Sequence, residues 1–131
     1  MNYLDSLYWI HERSKFGIKP GVKRMEWMLE QLNNPQHKIR GIHVGGTNGK
    51  GSTVAYLRTA LIENGYSVGT FTSPFIESFN ERISLNGVPI MNDELVQLVE
   101  QVKPVSEALE IETDLGGATE FEIITTMMFL Y

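Results

Sequence analysis

The stretch Val44-Gly45-Gly46-Thr47-Asn48-Gly49-Lys50-Gly51-Ser52-Thr53 lies between a β-branched run, Ile39, Ile42 and Val44, and a helical pattern. A strand that feeds a glycine loop, a lysine and then a helix is the build of a nucleoside triphosphate site. The N–H groups of such a loop point inward at phosphate oxygens, and the helix N-terminus behind them adds roughly half a positive charge. Glycines are required because a side chain would block the approach and forbid the tight turn. Lys50 is placed to reach the outer phosphates. Taken singly, each residue also fits a surface turn with a solvated lysine; the whole string between strand and helix favours the phosphate loop.

The loop departs from the standard pattern G-x-x-x-x-G-K-[ST]. Val44 stands where the first glycine belongs, and Gly51 follows Lys50. The hydroxyl that would touch magnesium is missing from its usual place, so a metal here needs other protein oxygens.

With 131 residues, one domain is expected, and 42% hydrophobic residues suffice for a core. Eleven basic against sixteen acidic residues give a net charge of −5, a poor balance for nucleic acid or an anionic membrane. A phosphate loop is compatible with it, because it works through local backbone dipoles and one lysine. The chain has no cysteine, which excludes disulfides, thiol catalysis and thiolate metal sites and fits the cytoplasm. Met1-Asn2-Tyr3-Leu4-Asp5 lacks the basic and apolar regions of a secretory leader, and no run approaches the ~20 apolar residues of a membrane span.

Periodicity predicts helix, helix, strand, helix, strand, long loop, hairpin, helix, loop, helix. Leu4, Leu7, Tyr8 and Ile10 mark a helix over 4–14, and Val22, Met25, Met28, Leu29 and Leu32 mark a second. Residues 39–44 form the first strand. Val54, Leu57 and Leu61 form the core face of the loop helix, which ends at Asn64-Gly65. Residues 67–71 read as the second, parallel strand of a βαβ unit. Asn86-Gly87 between Ile83/Leu85 and Val88/Ile90 is a hairpin signal. Asn92 can cap a helix carrying Leu95, Leu98, Val99 and Val102, which Pro104 kinks or divides before Val105 and Leu109. The fold class is α/β, a P-loop-type parallel sheet flanked by helices. Such a sheet needs more strands than are visible, so it is expected to be incomplete at the C-terminus.

Two further segments carry chemistry. Thr72-Ser73-Pro74-Phe75-Ile76-Glu77-Ser78-Phe79-Asn80-Glu81-Arg82 leaves the C-terminal end of the second strand, the edge where open α/β sheets bind ligands. Its two phenylalanines either stack on a flat ligand or anchor the loop on the core; spacing favours the anchor. In Gly116-Gly117-Ala118-Thr119-Glu120-Phe121-Glu122, Thr119-x-x-Glu122 is a capping box. A carboxylate at a helix start can equally face magnesium, a hard cation that takes oxygen ligands. Spacing leaves both readings of Glu122 open.

The chain resembles the N-terminal part of the folylpolyglutamate synthase and dihydrofolate synthase family, relatives of the muramyl-peptide ligases. The resemblance runs through Phe16-Gly17-Ile18-Lys19-Pro20-Gly21, Ile42-His43-Val44 with Gly46-Thr47-Asn48-Gly49-Lys50-Gly51-Ser52, Thr72-Ser73-Pro74-Phe75 with Phe79-Asn80-Glu81-Arg82-Ile83, and Thr119-Glu120-Phe121-Glu122. It implies an ATP-dependent ligase that phosphorylates a folate carboxylate, or the pteroate carboxyl of dihydropteroate. The acyl phosphate is then attacked by the amine of L-glutamate. It implies ATP held by Gly46, Thr47, Asn48, Gly49, Lys50, Gly51, Ser52 and Thr53, with Lys50 catalytic. It further implies Mg2+ on Ser73 and Glu122, and folate contacts from Thr72, Pro74, Phe75 and Arg82. The expected whole is a cytoplasmic monomer binding neither nucleic acid nor membrane. Residues 1–131 would be the first part of its ATP-binding domain, inactive alone without the rest of that domain and the glutamate-binding C-terminal domain. Alternatives are dihydrofolate synthase alone or combined with chain extension, a muramyl-peptide ligase relative, and a non-catalytic nucleotide-binding module. Asn80-Glu81-Arg82 after Thr-Ser-Pro argues against the cell-wall branch. None of His11, His37 and His43 matches the family's histidine ligand, and His43 is expected to be buried and hydrogen-bonded.

Overall fold

The computed structural model describes residues 1–17, 21–45, 50–72 and 78–131. Among these the chain forms helices α1 (Tyr3–Glu12), α2 (Lys23–Gln31), α3 (Lys50–Glu63), α4 (Asn92–Glu112) and α5 (Glu120–Leu130), and strands β1 (Gly69–Phe71), β2 (Ile83–Leu85) and β3 (Val88–Pro89). They divide into a helical unit, Met1–Arg40 with Asp93–Tyr131, and a sheet unit, Gly41–Asn92.

In the helical unit α5 is central. Its sequence EFEIITTMMFL is apolar on nearly every side, and a helix with so little polar face is stable only when covered. It packs against α1 and α2, burying Ile123, Ile124, Thr126 and Met127 completely. α1 starts at a capping box in which the Asp5 amide donates to the Asn2 side-chain oxygen at 2.8 Å. Its buried face is Ser6, Trp9 and Ile10, continued by Arg13, the i, i+3, i+4, i+7 stripe. Leu4 and Tyr8, expected on the core face, are instead 74% and 70% exposed. Trp9 carries more apolar area than either and takes the helix face with it.

α4 is one continuous helix through Pro104, so the expected division does not occur. Leu95, Leu98, Val99, Val102 and Leu109 are buried while Pro104 and Glu100 are exposed. The hydrogen bond that proline cannot make is therefore lost on the exposed face, which is where a helix tolerates it.

Gly117 is buried against Phe16, whose ring is flanked by the Arg13 guanidinium at 5.5 Å. A Cβ at residue 117 would run into that ring and come within 2.7 Å of Glu110 Oε1. Gly117→Ala is expected to cost about 1–3 kcal/mol through overpacking. A urea-unfolding midpoint equal to the parent's would show that Phe16 moves aside freely.

In the sheet unit the strands run in the order β1-β2-β3, both pairs antiparallel, with Thr70 opposite Ser84 and Leu85 opposite Val88. The hairpin is the expected one. Asn86 and Gly87 have φ of 51° and 82°, the two left-handed positions of a type I′ turn. The parallel βαβ reading of 67–71 is not confirmed: among the described residues β1 pairs antiparallel with β2. Residues 39–45 carry no strand. Parallel strands hold where neighbours cover both faces, and the described residues supply no such neighbours. Two expectations fall with it. His43 is exposed rather than buried, and no described side chain of α3 is buried, with Leu57 at 37% exposure. What holds is the α/β class with a small antiparallel sheet.

Candidate functional site

The expected site residues fall at three places. The first is the start of α3. Gly46, Thr47, Asn48 and Gly49 lie outside the described residues; Lys50 begins α3, and Gly51, Ser52 and Thr53 complete its first turn, exposed. The first four N–H groups of a helix have no partner inside it, so this turn presents backbone donors and the positive dipole end to solvent. An anion meets favourable charge there without any basic patch.

The second place is the base of the 72–82 segment, of which Ser73, Pro74 and Phe75 lie outside the described residues. Its ends are brought together, with the Thr72 amide donating to the Arg82 carbonyl at 3.0 Å. The turn Phe79–Arg82 is closed by a second capping box, in which the Asn80 amide donates to Ser78 Oγ at 3.3 Å and the Ser78 amide to Glu81 Oε1 at 3.3 Å. Phe79 is 4% exposed, which decides for the anchor reading of that ring. The Arg82 guanidinium lies 5.7 Å from its centroid. Thr72 and Arg82 are half-buried and flank the same opening of the chain.

The third place is the cap of α5, in the helical unit. The capping box is present: Glu122 N donates to Thr119 Oγ1 at 3.2 Å and Thr119 N to Glu122 Oε1 at 2.9 Å. The carboxylate is also held by Arg24, whose Nε donates to Oε1 at 2.9 Å and to Oε2 at 3.2 Å. Arg24 and Glu122 are 8% and 7% exposed, so this is a buried, hydrogen-bonded ion pair joining α2 to α5. Arg24 was not anticipated. Its signal was its place four residues before Met28, on the face of α2 that must be covered, where an arginine needs a partner. In this arrangement the Glu122 carboxylate accepts from the Arg24 guanidinium and the Thr119 amide, so a cation bound to it would share the carboxylate with them. Among the described residues no group of three or more His, Asp or Glu side chains forms a metal cluster. No helix among them is long and apolar enough to cross a membrane.

No protein-family model matches the chain. It is 57% identical over 129 residues to the dihydrofolate synthase/folylpolyglutamate synthase of Bacillus subtilis, covering 98% of this chain and 30% of that protein. The structure of a folylpolyglutamate synthetase from Lactobacillus casei superposes with a TM-score of 0.92 at 39% identity, covering 100% of this chain and 33% of that one. An FPGS-AMPPCP-folate complex matches at a TM-score of 0.87 and 38% identity, over 100% of this chain and 32% of that one. The chain thus spans about a third of the length of these proteins. The Gly46-Thr47-Asn48-Gly49-Lys50-Gly51-Ser52 string at the start of α3, the Thr-Ser-Pro and Asn-Glu-Arg strings, and identities of this size over nearly every residue lead to one conclusion: the chain belongs to the folylpolyglutamate synthase and dihydrofolate synthase family.

Proposed function

We propose that residues 1–131 are the N-terminal part of the ATP-binding domain of an amide ligase that adds L-glutamate to a folate. The exposed first turn of α3 directly behind the glycine loop carries this reading. Its support is the 57% identity to a dihydrofolate synthase/folylpolyglutamate synthase and the likeness to a complex holding both AMPPCP and folate.

The reaction must bring three anions together: ATP, a folate carboxylate and glutamate. Loop amides at Gly46, Thr47, Asn48 and Gly49, with the α3 turn of Gly51, Ser52 and Thr53, orient the triphosphate. Lys50 neutralises the charge that develops on the γ-phosphoryl group, so catalysis is positioning and electrostatics. The carboxylate oxygen attacks the γ-phosphorus and ADP leaves. The glutamate amine then attacks the acyl carbon, a proton leaves the nitrogen, and phosphate departs. Thr72, Pro74, Phe75 and Arg82 are the proposed folate contacts. Ser73 and Glu122 are the motif's magnesium ligands, a role Glu122 would combine with its bond to Arg24. The P-loop-type parallel sheet belongs, in this reading, to the complete protein, a cytoplasmic monomer.

The test is ADP release by the protein expressed from its complete reading frame. Release is expected to require both a reduced folate and glutamate. ATP turnover independent of both would overturn the ligase reading in favour of a nucleotide-binding module. Dependence on dihydropteroate instead of tetrahydrofolate would identify dihydrofolate synthase.

A further inference from the structure

Two Asn-Gly pairs fall among the described residues, Asn64-Gly65 at the end of α3 and Asn86-Gly87 between β2 and β3; a third, Asn48-Gly49, lies outside them. In such a pair the glycine nitrogen is well placed to attack the asparagine side chain, because no Cβ crowds it. Both described pairs are exposed, so access to water does not separate them. Hydrogen bonding does. The Gly65 amide donates to the Ile62 carbonyl at 3.0 Å, and Asn64 Nδ2 donates to the Ala60 carbonyl at 2.7 Å, which turns the side chain back along α3. An amide held in this way gives up its proton slowly, as in hydrogen exchange. The Gly87 amide makes no hydrogen bond among the described residues. At Asn86 the side-chain bond has the opposite sense: the Val68 amide donates to Oδ1 at 2.8 Å and draws electrons from Cγ, the atom attacked. The Arg58 guanidinium stands beside Gly87, with Cζ 3.7 Å from where a Cβ on that glycine would lie, so a cation is close to the nitrogen that must become an anion.

We propose that Asn86 is a site of spontaneous modification, cyclising onto Gly87 with loss of ammonia, and that the fold protects Asn64 from the same reaction. The Gly87 nitrogen loses its proton and attacks Asn86 Cγ. The Cγ–Nδ2 bond then breaks, and Nδ2 leaves as ammonia with that proton. Water opens the resulting cyclic imide at either carbonyl. One opening leaves aspartate at position 86, which keeps an oxygen for the Val68 amide. The other leaves isoaspartate, which puts an extra methylene into the backbone of the turn. The φ values of 51° and 82° and the facing of Leu85 and Val88 depend on that turn, so this product undoes the hairpin. Either product places a carboxylate near Arg58. This chemistry requires nothing of the ligase reading.

The experiment ages the protein from its complete reading frame in mildly alkaline buffer, digests it, and follows the peptides holding residues 64 and 86 by mass spectrometry. The Asn86 peptide is expected to gain the mass difference between a side-chain amide and an acid, and to split into aspartate and isoaspartate forms. Its rate should exceed that of the Asn64 peptide by about tenfold, since the bonds made by Gly65 and Asn64 must break before that pair reacts. In concentrated urea, where both pairs are unfolded, the two rates should converge. Equal rates in the folded protein would overturn the proposal. A difference that persists unchanged in urea would overturn it too, by tracing the effect to neighbouring sequence and not to the fold. So would an Asn86 peptide that stays intact in the folded protein while it converts in urea, because the turn would then protect this pair as well.

Discussion

Glu122→Ala is expected to destabilise the helical unit by about 3–5 kcal/mol, the cost of leaving a buried charge without its partner. Arg24 is 8% exposed and donates to Glu122 from the covered face of α2. The substitution also removes the carboxylate that accepts the Thr119 amide, so the capping box of α5 loses one of its two hydrogen bonds. Set against a total stability of about 5–15 kcal/mol, this is enough to unfold a marginal domain. Glu122→Gln keeps an acceptor for both donors and should lose less. The double variant Arg24→Met with Glu122→Leu should recover much of the loss, because an apolar pair of similar size carries no desolvation penalty. Urea unfolding of the four proteins measures these differences. A loss below about 1 kcal/mol in Glu122→Ala would mean the pair is open to solvent. The same variants separate the two roles of Glu122. As a structural carboxylate, glutamine in its place leaves magnesium-dependent ATP binding intact; as a metal ligand, it abolishes that dependence while stability barely changes.

The second large effect concerns Lys50→Ala. Removing one preorganised cation from a transferring phosphoryl group costs about 100- to 1000-fold in kcat. The substitution falls on the first residue of α3, and alanine is the best helix former, so the helix itself should persist. The expected signature is therefore unchanged circular dichroism with ADP release near background. Calorimetric titration with ATP and magnesium should show binding in the parent and its loss, or near loss, in the variant. Parent-like turnover in Lys50→Ala would remove the catalytic role from this residue and with it the reading of the glycine loop as a phosphoryl-transfer site.

What the sequence carried on its own was local. The Asn86-Gly87 turn and the Thr119–Glu122 box each depend on residues within a few positions of one another. Their conformation follows from backbone sterics, φ preference and capping, which neighbours in the chain suffice to determine. The family resemblance is legible for the same reason, since it is built from short strings.

Tertiary structure decided the rest. Arg24 meets Glu122 across 98 positions, and Asn80 reaches Ile90 and Asn92 across a hairpin. Either capping or metal binding suits an isolated Glu122; that an arginine from α2 also holds its carboxylate is visible only in the tertiary structure. Which face of α1 turned inward was settled by Trp9 against α5, not by the spacing of Leu4 and Tyr8. The pairing of β1 was likewise beyond periodicity, because alternation along a strand says nothing about the direction of its neighbour. The Thr72 amide bonded to the Arg82 carbonyl continues the antiparallel β1–β2 ladder by one residue. Local strings specify backbone shape, whereas buried polar partners and strand direction are set by which distant segments share one core.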